Sequence, residues 1–271
     1  MRSSNILLTG ASGQLGKEME ADLVKRGYHV RGASRRTSPR FDLGFPIPSE
    51  LFNGVEIVIH AAYNFSSSEK FLKANVNLEG AESLVSTGIA SGVKHFILIS
   101  SDSANANARS SYGKNKYEIE KIFLKSKMAT VLRIGLIGGD NPIGPFAELC
   151  TNAAKRPFIL LPRANAKIYT LTNISEICEA VKEVLIGIPL GGPFTISKNA
   201  ESVSLRDSIE QTIKRNVRSI SIDARILFWF IKFLEMTNVN LKVRSDSIKS
   251  IFVTREVVKT IWEELHDKKS F

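Results

Sequence analysis

Leu8-Thr9-Gly10-Ala11-Ser12-Gly13-Gln14-Leu15-Gly16 is the stretch that decides the fold of this 271-residue chain. It follows the apolar run Ile6-Leu7-Leu8 and opens residues 14–26, where apolar side chains recur at helical spacing. The glycines therefore lie in a turn between a buried strand and a helix. There Gly10 permits a tight bend, Gly13 lets the backbone approach a pyrophosphate, and Gly16 lets the helix pack on the strand. We predict a dinucleotide-binding loop with contacts from Gly10, Ser12, Gly13, Gln14, Leu15 and Gly16.

Strand and helix patterns alternate along the first half of the chain. Apolar runs predict strands near residues 5–9, 28–33, 55–60, 95–100 and 130–134. Periodicity predicts helices over 14–26, 69–91 and 108–127. Three prolines make residues 37–53 a loop with at most one short helix. This order is typical of an α/β protein with a doubly wound parallel sheet, the Rossmann form.

The alternation weakens after Gly135, which divides the chain into two parts. Residues 1–137 form the predicted dinucleotide-binding core, with a strand and a helix returning to it near 165–190. Residues 138–271 form most of a small C-terminal substrate lobe, interleaved with the core. This lobe contains the apolar run 226–236, which is too short to span a bilayer. We interpret the run as a core or dimer helix, with an interfacial membrane helix as the alternative.

Cysteine and histidine usage argues against a metal site or a disulfide framework. The two cysteines are isolated, the four histidines are scattered, and no ligand spacing recurs. No apolar run approaches the roughly 18 residues of a membrane span, and the first residues lack the order of a secretory signal. We therefore expect no metal, no integral membrane segment and a cytoplasmic protein.

The net charge of +10 invites a nucleic-acid interpretation, because a basic surface attracts phosphate. Lys and Arg are spread along the whole chain, however, and no basic block has aromatic residues interleaved with it. Nucleic-acid binding is therefore not expected. An anionic small substrate, a membrane surface and a generally solvated basic exterior remain as explanations of the charge.

Two arginines follow the second predicted strand. Arg35 and Arg36 stand about 20 residues past the glycine loop, where an acidic residue would bind the ribose of NAD. A guanidinium suits the additional 2′-phosphate of NADP, to which it donates paired hydrogen bonds. The pair predicts NADP over NAD. The alternative is that both arginines merely belong to a basic surface.

The predicted chemistry depends on three side chains. Ser101 closes the fourth predicted strand, and Tyr112 follows eleven residues later. Tyr112 and Lys116 are four residues apart and share a helix face, so the ammonium can lower the phenol pKa from about 10. We predict that Tyr112 is the general acid and that Ser101 donates a hydrogen bond to the same substrate oxygen. A nicotinamide would supply the hydride.

Four further segments extend this pattern over roughly residues 4–185: Phe41-Asp42-Leu43, Val58-Ile59-His60-Ala61-Ala62, Asn77-Leu78-Glu79-Gly80 and Ile99-Ser100-Ser101. With the glycine loop, Tyr112 and Lys116, the pattern resembles the extended short-chain dehydrogenase/reductase family of nucleotide-sugar epimerases, dehydratases and reductases. The resemblance implies a nicotinamide cofactor and a nucleotide-linked substrate. It also implies a homodimer, formed through paired helices.

The resemblance implies roles that spacing alone does not assign. It implies that Ala61 and Ala62 line the cofactor, that Asp42, with Leu43 beside it, touches the adenine edge, and that Asn77 steadies the helix beside the catalytic lysine. Two alternatives stay open. Asp42 can instead close a turn, and Asn77 can make a local backbone hydrogen bond.

Departures from the family pattern bear on the reaction. A dehydratase places an Asp-Glu pair after the serine or threonine, whereas this chain has Asp102-Ser103, so dehydration is disfavoured. Arg133-Ile134 stands where Arg-Pro is usual, and Leu171-Thr172-Asn173-Ile174 stands where Val-Asp-Asp-Val is common.

The predicted function is reduction of a 4-keto sugar carried on a nucleotide, by an enzyme that prefers NADP(H) and also admits NAD(H). Many relatives with this pattern serve surface polysaccharide synthesis, and the resemblance implies the same setting here. Three alternatives remain. They are a nucleotide-sugar 4-epimerase, a non-catalytic NADP-sensing protein, and an enzyme of apolar carbonyls, which only the run 226–236 suggests.

Overall fold

The computed structural model describes residues 5–65, 75–163, 169–187, 191–197, 203–237, 245–249 and 258–269. The strands in these ranges are β1 (Asn5–Thr9), β2 (His29–Ala33), β3 (Ile57–His60), β4 (His95–Ser101), β5 (Ala129–Ile134), β6 (Leu136–Ile137), β7 (Ile159–Pro162), β8 (Leu171–Thr172), β9 (Gly191–Thr195) and β10 (Ser219–Ile222). The helices are α1 (Gln14–Lys25), α2 (Val76–Ala90), α3 (Ser111–Lys125), α4 (Gly144–Lys155), α5 (Ile174–Gly187), α6 (Leu205–Ile213), α7 (Ala224–Met236), α8 (Ser245–Lys249) and α9 (Ile261–Lys269).

The central sheet has six strands in the order β2-β1-β3-β4-β5-β9, and every neighbouring pair is parallel. The five predicted strands are β1 to β5, within two residues at each end. The sixth, β9, lies outside the predicted return near 165–190. The order reverses direction between β1 and β3, and in open parallel sheets ligands bind in the crevice at that point.

Apolar side chains cover both faces of the sheet, as a doubly wound fold requires. Along β1, Ile6 and Leu8 face a cluster that includes residues of α1, α5 and α9. Leu7 points the other way, into a cluster that includes residues of α2 and α3. This two-sided burial confirms the predicted α/β Rossmann architecture.

The helix boundaries differ from the predicted ones for local reasons. The helix predicted over 108–127 begins at Ser111, because the Ser110 side chain caps it by accepting a hydrogen bond from the Gly113 N–H. The helix predicted over 69–91 is described from Val76, with Asn75 as its cap; residues 66–74 lie outside the described part. The predicted loop 37–53 holds one short 3₁₀ helix, Ser49–Phe52.

A smaller cluster forms beside the central sheet from α4, β7 and α6, with Phe146, Ile159 and Ile209 among its buried members. Strands β7 and β10 pair beside it, and β6 pairs with β8. The predicted interpretation of 226–236 as a core helix is wrong within this chain. Only Ala224 of α7 is buried, since the apolar face of that helix points outward.

Candidate active site

The crevice between β1 and β3 is shaped by backbone contact. Gly10 has φ +80°, and a Cβ there would lie 2.8 Å from the Ala62 backbone nitrogen and 2.9 Å from the Ala61 carbonyl carbon. A Cβ on Gly16 would lie 2.9 Å from the Ala11 Cα and overlap the Gly10 carbonyl oxygen. The glycines therefore bring the loop against the end of β3 and against α1, and no larger residue fits at either position.

The start of α1 suits a phosphate group. Gly13 is its N-cap, no side chain caps it, and its first turn carries no acidic residue. Gly13 and its neighbours Ser12 and Gln14 are exposed, and Leu15 is half-buried. An uncompensated helix N-terminus with free backbone N–H groups attracts an anion. These features, with the Cβ-free approach at Gly10, fit the pyrophosphate of a dinucleotide.

Arg35 and Arg36 lie in the turn after β2, on the same sheet edge as the glycine loop. Both side chains are exposed, and neither has an ion pair with any residue that the structure describes. The Ser34 side chain holds the turn, since its Oγ accepts from the Arg36 backbone N–H at 3.1 Å. Two cations thus stand free at this edge.

Asp42 and Leu43 follow that turn. The Asp42 carboxylate pairs with the Arg40 guanidinium at 2.5 Å, and the Asp42 carbonyl accepts from the Phe45 N–H at 3.3 Å. Leu43 is buried and packs on Gly80 of α2, with its Cβ 3.3 Å from where a Gly80 Cβ would be. The turn-closing alternative for Asp42 therefore has a contact that supports it. The predicted adenine contact stays a prediction.

The three predicted catalytic side chains come together at the carboxyl end of β4. Ser101 ends the strand, Tyr112 is the second residue of α3, and a hydrogen bond joins their side chains. Lys116 lies one turn further along α3, where its Nζ donates to the Ile99 carbonyl oxygen at 3.0 Å. Lys116 is buried and Tyr112 is half-buried. Strand and helix thus hold a hydroxyl, a phenol and an ammonium around one small volume.

The electrostatics of Tyr112 differ from the expectation. Burial raises the pKa of its phenol, and the hydrogen bond with Ser101 offsets this only in part. The Lys116 ammonium is directed at the Ile99 carbonyl and at the Tyr63 ring, 5.2 Å from the ring centroid. The predicted lowering of the phenol pKa by Lys116 is therefore wrong for this arrangement. Desolvation keeps Tyr112 protonated, which is the form that a proton donor needs.

Sequence reasoning missed two aromatic residues beside Tyr112. The Tyr63 ring meets the Tyr112 ring edge-on at 5.0 Å, and the Phe65 ring stacks on it at 5.8 Å. Both follow the Ala61-Ala62 pair at the carboxyl end of β3, which is the one signal that could have identified them. They exclude water from one side of the phenol and restrict its orientation.

Asn77 acts on that aromatic segment. It is buried, its Nδ2 donates to the Asn64 carbonyl at 3.0 Å, and its Oδ1 accepts from the Asn64 N–H at 2.8 Å. The Asn75 side chain instead pairs with the sequence neighbour of Lys116, since its Nδ2 donates to the Asn115 Oδ1 at 2.8 Å. Asn77 therefore fastens the loop that carries Tyr63 and Phe65.

Asp246 is a third residue that sequence reasoning missed. From α8, its carboxylate accepts the Ser111 N–H at 3.0 Å and the Tyr112 N–H at 3.2 Å. An acidic group at a helix N-terminus is stabilising, and here it holds the backbone of the candidate general acid. No motif surrounds Asp246, and 134 residues separate it from Tyr112. Only tertiary structure brings them together.

Replacing Asp246 with Ala is expected to lower kcat about tenfold or more, because small displacements of a catalytic group are costly. The substrate KM should change little, and Asp246→Asn, which keeps one acceptor oxygen, should recover part of kcat. Asp223→Ala is the matched control, since it removes the cap of α7, where the Asp223 Oδ1 accepts from the Arg225 N–H at 2.8 Å. Equal loss of kcat in both variants would contradict a positioning role for Asp246.

The pH profile should report Lys116. Burial lowers the pKa of its ammonium to about 8, so the side chain is a cation below that pH and neutral above it. If the cation assists proton donation by Tyr112, kcat/KM should fall about tenfold per pH unit above pH 8. Initial rates between pH 6 and 10 would measure this. His60 adds no break there, because burial lowers the pKa of its imidazole to about 3. A value of kcat/KM that stays constant up to pH 10 would show that catalysis does not require the Lys116 cation.

The remaining polar groups near the site are structural. Ser100 donates to Glu120 Oε1 at 2.6 Å, and Asp102, which is buried, accepts from the Thr170 hydroxyl. Among the described residues, no group of three His, Cys, Asp or Glu side chains is placed to hold a metal ion.

Comparisons with known proteins give one family model and several solved structures of similar fold. The model of the NAD dependent epimerase/dehydratase family matches residues 6–178. Among curated proteins, no sequence matches the chain significantly. Similar solved structures include a UDP-N-acetylglucosamine 4-epimerase from Bacillus cereus, with TM-score 0.66 and 15% identity over 99% of this chain and 97% of that one. A UDP-glucose 4-epimerase from Thermotoga maritima has TM-score 0.63 and 18% identity over 81% and 85%. An NAD dependent NDP-hexosamine 5,6-dehydratase has TM-score 0.62 and 16% identity over 99% and 98%.

Proposed function

The chain belongs to the NAD dependent epimerase/dehydratase family and is an enzyme of that family, and from this premise we propose that it reduces a 4-keto sugar linked to a nucleotide. The observation that carries the proposal is the group formed by Ser101, Tyr112 and Lys116 beside the glycine loop. The match of the family model confirms the resemblance to extended short-chain dehydrogenases/reductases. The reaction at carbon 4 and its direction are the proposal.

Ser101, Tyr112 and Lys116 have different roles in the proposed reduction. The glycine loop would hold a nicotinamide cofactor, which when bound would supply a hydride for the carbonyl carbon. Tyr112, kept protonated by its buried surroundings, donates its phenolic proton to the carbonyl oxygen as charge develops there. Ser101 donates a hydrogen bond to the same oxygen and holds it within reach. The Lys116 ammonium lies one helical turn away, held on the Ile99 carbonyl, and adds a positive charge beside the site.

Preference for NADP(H) is supported by Arg35. Replacing Arg35 with Ala should raise the KM for NADPH about 10- to 100-fold, the value of one or two charge-assisted hydrogen bonds to a 2′-phosphate. The KM for NADH should not change. Lys155→Ala removes the same charge from an exposed position at the end of α4 and is the control. Parallel changes in the NADPH and NADH constants of Arg35→Ala would contradict the proposed contact.

A nucleotide-sugar 4-epimerase is the second candidate. Three structural neighbours that are 4-epimerases favour it: the two reported above and a UDP-glucuronic acid 4-epimerase from Bacillus cereus in complex with NAD. An epimerase regenerates its cofactor within one cycle and therefore retains it, whereas a reductase exchanges it. Tightly held NAD(H) in the purified protein would favour the epimerase.

The test is NADPH oxidation, followed by its near-ultraviolet absorbance, with a panel of nucleotide-linked 4-keto-6-deoxy sugars and NADH as the matched comparison. We expect consumption of NADPH with at least one 4-keto substrate. If no cofactor is consumed but UDP-sugars are interconverted, the epimerase is the function. If cofactor binds and neither reaction occurs, the proposal is overturned in favour of apolar carbonyls or NADP sensing.

The location of the enzyme in the cell and its oligomeric state are also proposals. Among the described helices, none has the length and apolar character that crossing a bilayer requires. We place the enzyme in the cytoplasm, with a nucleotide sugar as its substrate and without nucleic acid as a partner. Surface polysaccharide synthesis and a homodimer are carried forward from the family resemblance.

A further inference from the structure

Helix α7 presents an apolar face that nothing in the described chain covers. Ile226, Trp229, Phe230, Phe233 and Met236 are between 59% and 75% exposed. Their spacing of three and four residues places all five side chains along one side of the helix. Single exposed apolar residues are common on proteins, whereas a continuous stripe with two Phe and a Trp indicates a partner.

The opposite side of α7 is fastened to the protein. The Glu235 carboxylate accepts the Ser245 N–H at 2.8 Å and the Ser245 hydroxyl at 2.7 Å. The Lys249 ammonium lies 5.7 Å from the centroid of the Phe228 ring. Both contacts go to α8, the helix whose Asp246 caps α3. The exposed face is therefore held outward on a helix that is docked on its other side.

Basic residues surround this stripe in the sequence. Residues 214–249 contain eight Lys or Arg and three Asp or Glu, so half of the net charge of +10 falls in this short segment. Each of the three acidic residues pairs with one of these cations: Asp223 with Arg225 at 3.5 Å, Glu235 with Lys232 at 3.6 Å and Asp246 with Lys249 at 3.6 Å. Asp223 caps α7, Glu235 binds Ser245, and Asp246 caps α3. The sequence segment that carries the apolar face therefore has a net positive charge.

We propose that α7 lies in the interface of an anionic lipid bilayer, with its Trp-Phe face among the acyl chains. A 13-residue helix is about 20 Å long, so it lies along the surface and does not cross it. Amphipathic helices bind in this way when buried aromatic area acts together with attraction of basic side chains to acidic lipid. A second copy of this chain fits less well, because the contact would bring two positively charged segments together.

The proposal can be tested on the full chain with vesicles. We expect sedimentation with vesicles of phosphatidylcholine and phosphatidylglycerol, weak binding to pure phosphatidylcholine, and loss of binding at high salt. Phe233→Glu should weaken binding about tenfold or more, since it removes a buried aromatic side chain and adds a negative charge. Ile186→Glu is the control, because Ile186 is 56% exposed on α5. Trp229 should shift its fluorescence to the blue on binding, and Trp229→Phe should abolish that shift.

Each alternative result overturns the proposal. Equal binding to neutral and acidic vesicles would show that the basic side chains do not contribute to membrane binding. Unchanged vesicle binding of Phe233→Glu would show that α7 is not the helix that contacts the bilayer. Absence of vesicle binding, with self-association that Phe233→Glu abolishes, would assign the face to a second copy. None of these measurements depends on the reaction catalysed.

Discussion

Replacing Tyr112 with Phe is expected to reduce turnover by about two to four orders of magnitude, the usual contribution of a positioned general acid. The substitution removes one oxygen and keeps the ring that Tyr63 and Phe65 contact. Cofactor affinity should therefore remain unchanged. Fluorescence titration with NADPH would measure binding, and the absorbance of NADPH would measure turnover.

Tyr117→Phe is the matched control, because Tyr117 lies on the same helix and its ring contacts the exposed Lys121 ammonium. It should retain normal turnover. Ser101→Ala should lose activity to a smaller extent than Tyr112→Phe, because water or the phenol can still bind the substrate oxygen. Full activity in Tyr112→Phe would remove the basis for the proposed function, and loss of cofactor binding would show that the phenol has a structural role instead.

Replacing Arg133 with Met should destabilise the protein by about 3–5 kcal/mol, because it leaves the buried Glu120 carboxylate without its cation. The Arg133 Nη2 and the Glu120 Oε2 are 2.7 Å apart, and the two side chains are 3% and 2% exposed. The Ser100 hydroxyl also donates to Glu120, so the pair lies beside the carboxyl end of β4. Urea denaturation of the purified variant would measure the loss.

Lys121→Met tests the burial argument. Lys121 pairs with Glu118 at 2.8 Å on the surface of the same helix, with the two side chains 57% and 47% exposed. Removing that pair should change the free energy of unfolding by about 0.5 kcal/mol or less. The double variant Arg133→Met with Glu120→Leu should recover much of the stability lost in Arg133→Met, since no charge is then left buried. Equal losses of unfolding free energy in Arg133→Met and Lys121→Met would contradict the argument that burial makes the Arg133–Glu120 pair costly to break.

Much of the fold was accessible to prediction, because it depends on local pattern. Five apolar runs became the first five strands, and the glycine spacing placed the turn that approaches Ala61 and Ala62. Glycines in turns and apolar residues in strands have local conformational preferences, so the residues around them in the sequence are enough to predict their structure. The helix limits required the caps Asn75 and Ser110, whose hydrogen bonds decide where each helix begins.

Residues 226–236 show that a sequence pattern alone does not determine whether a helix is buried. A nearly all-apolar run has the same sequence pattern whether its helix is buried, paired with another helix or exposed. Periodicity shows which side chains share a helix face, but it does not show which part of the protein packs against that face. The sheet packs against α1, α5 and α9 on one side and α2 and α3 on the other, which leaves α7 outside the core.

Local sequence therefore specified the glycine loop, the parallel sheet and the candidate residues Ser101, Tyr112 and Lys116, because each depends on spacing within one strand, turn or helix. The three-dimensional packing decided the environment of those residues. It placed Tyr63 and Phe65 on the phenol, aimed Lys116 at the Ile99 carbonyl, and brought Asp246 to the start of α3. Contacts between residues far apart in the chain, and the desolvation that shifts a pKa, arise only when separate elements pack together.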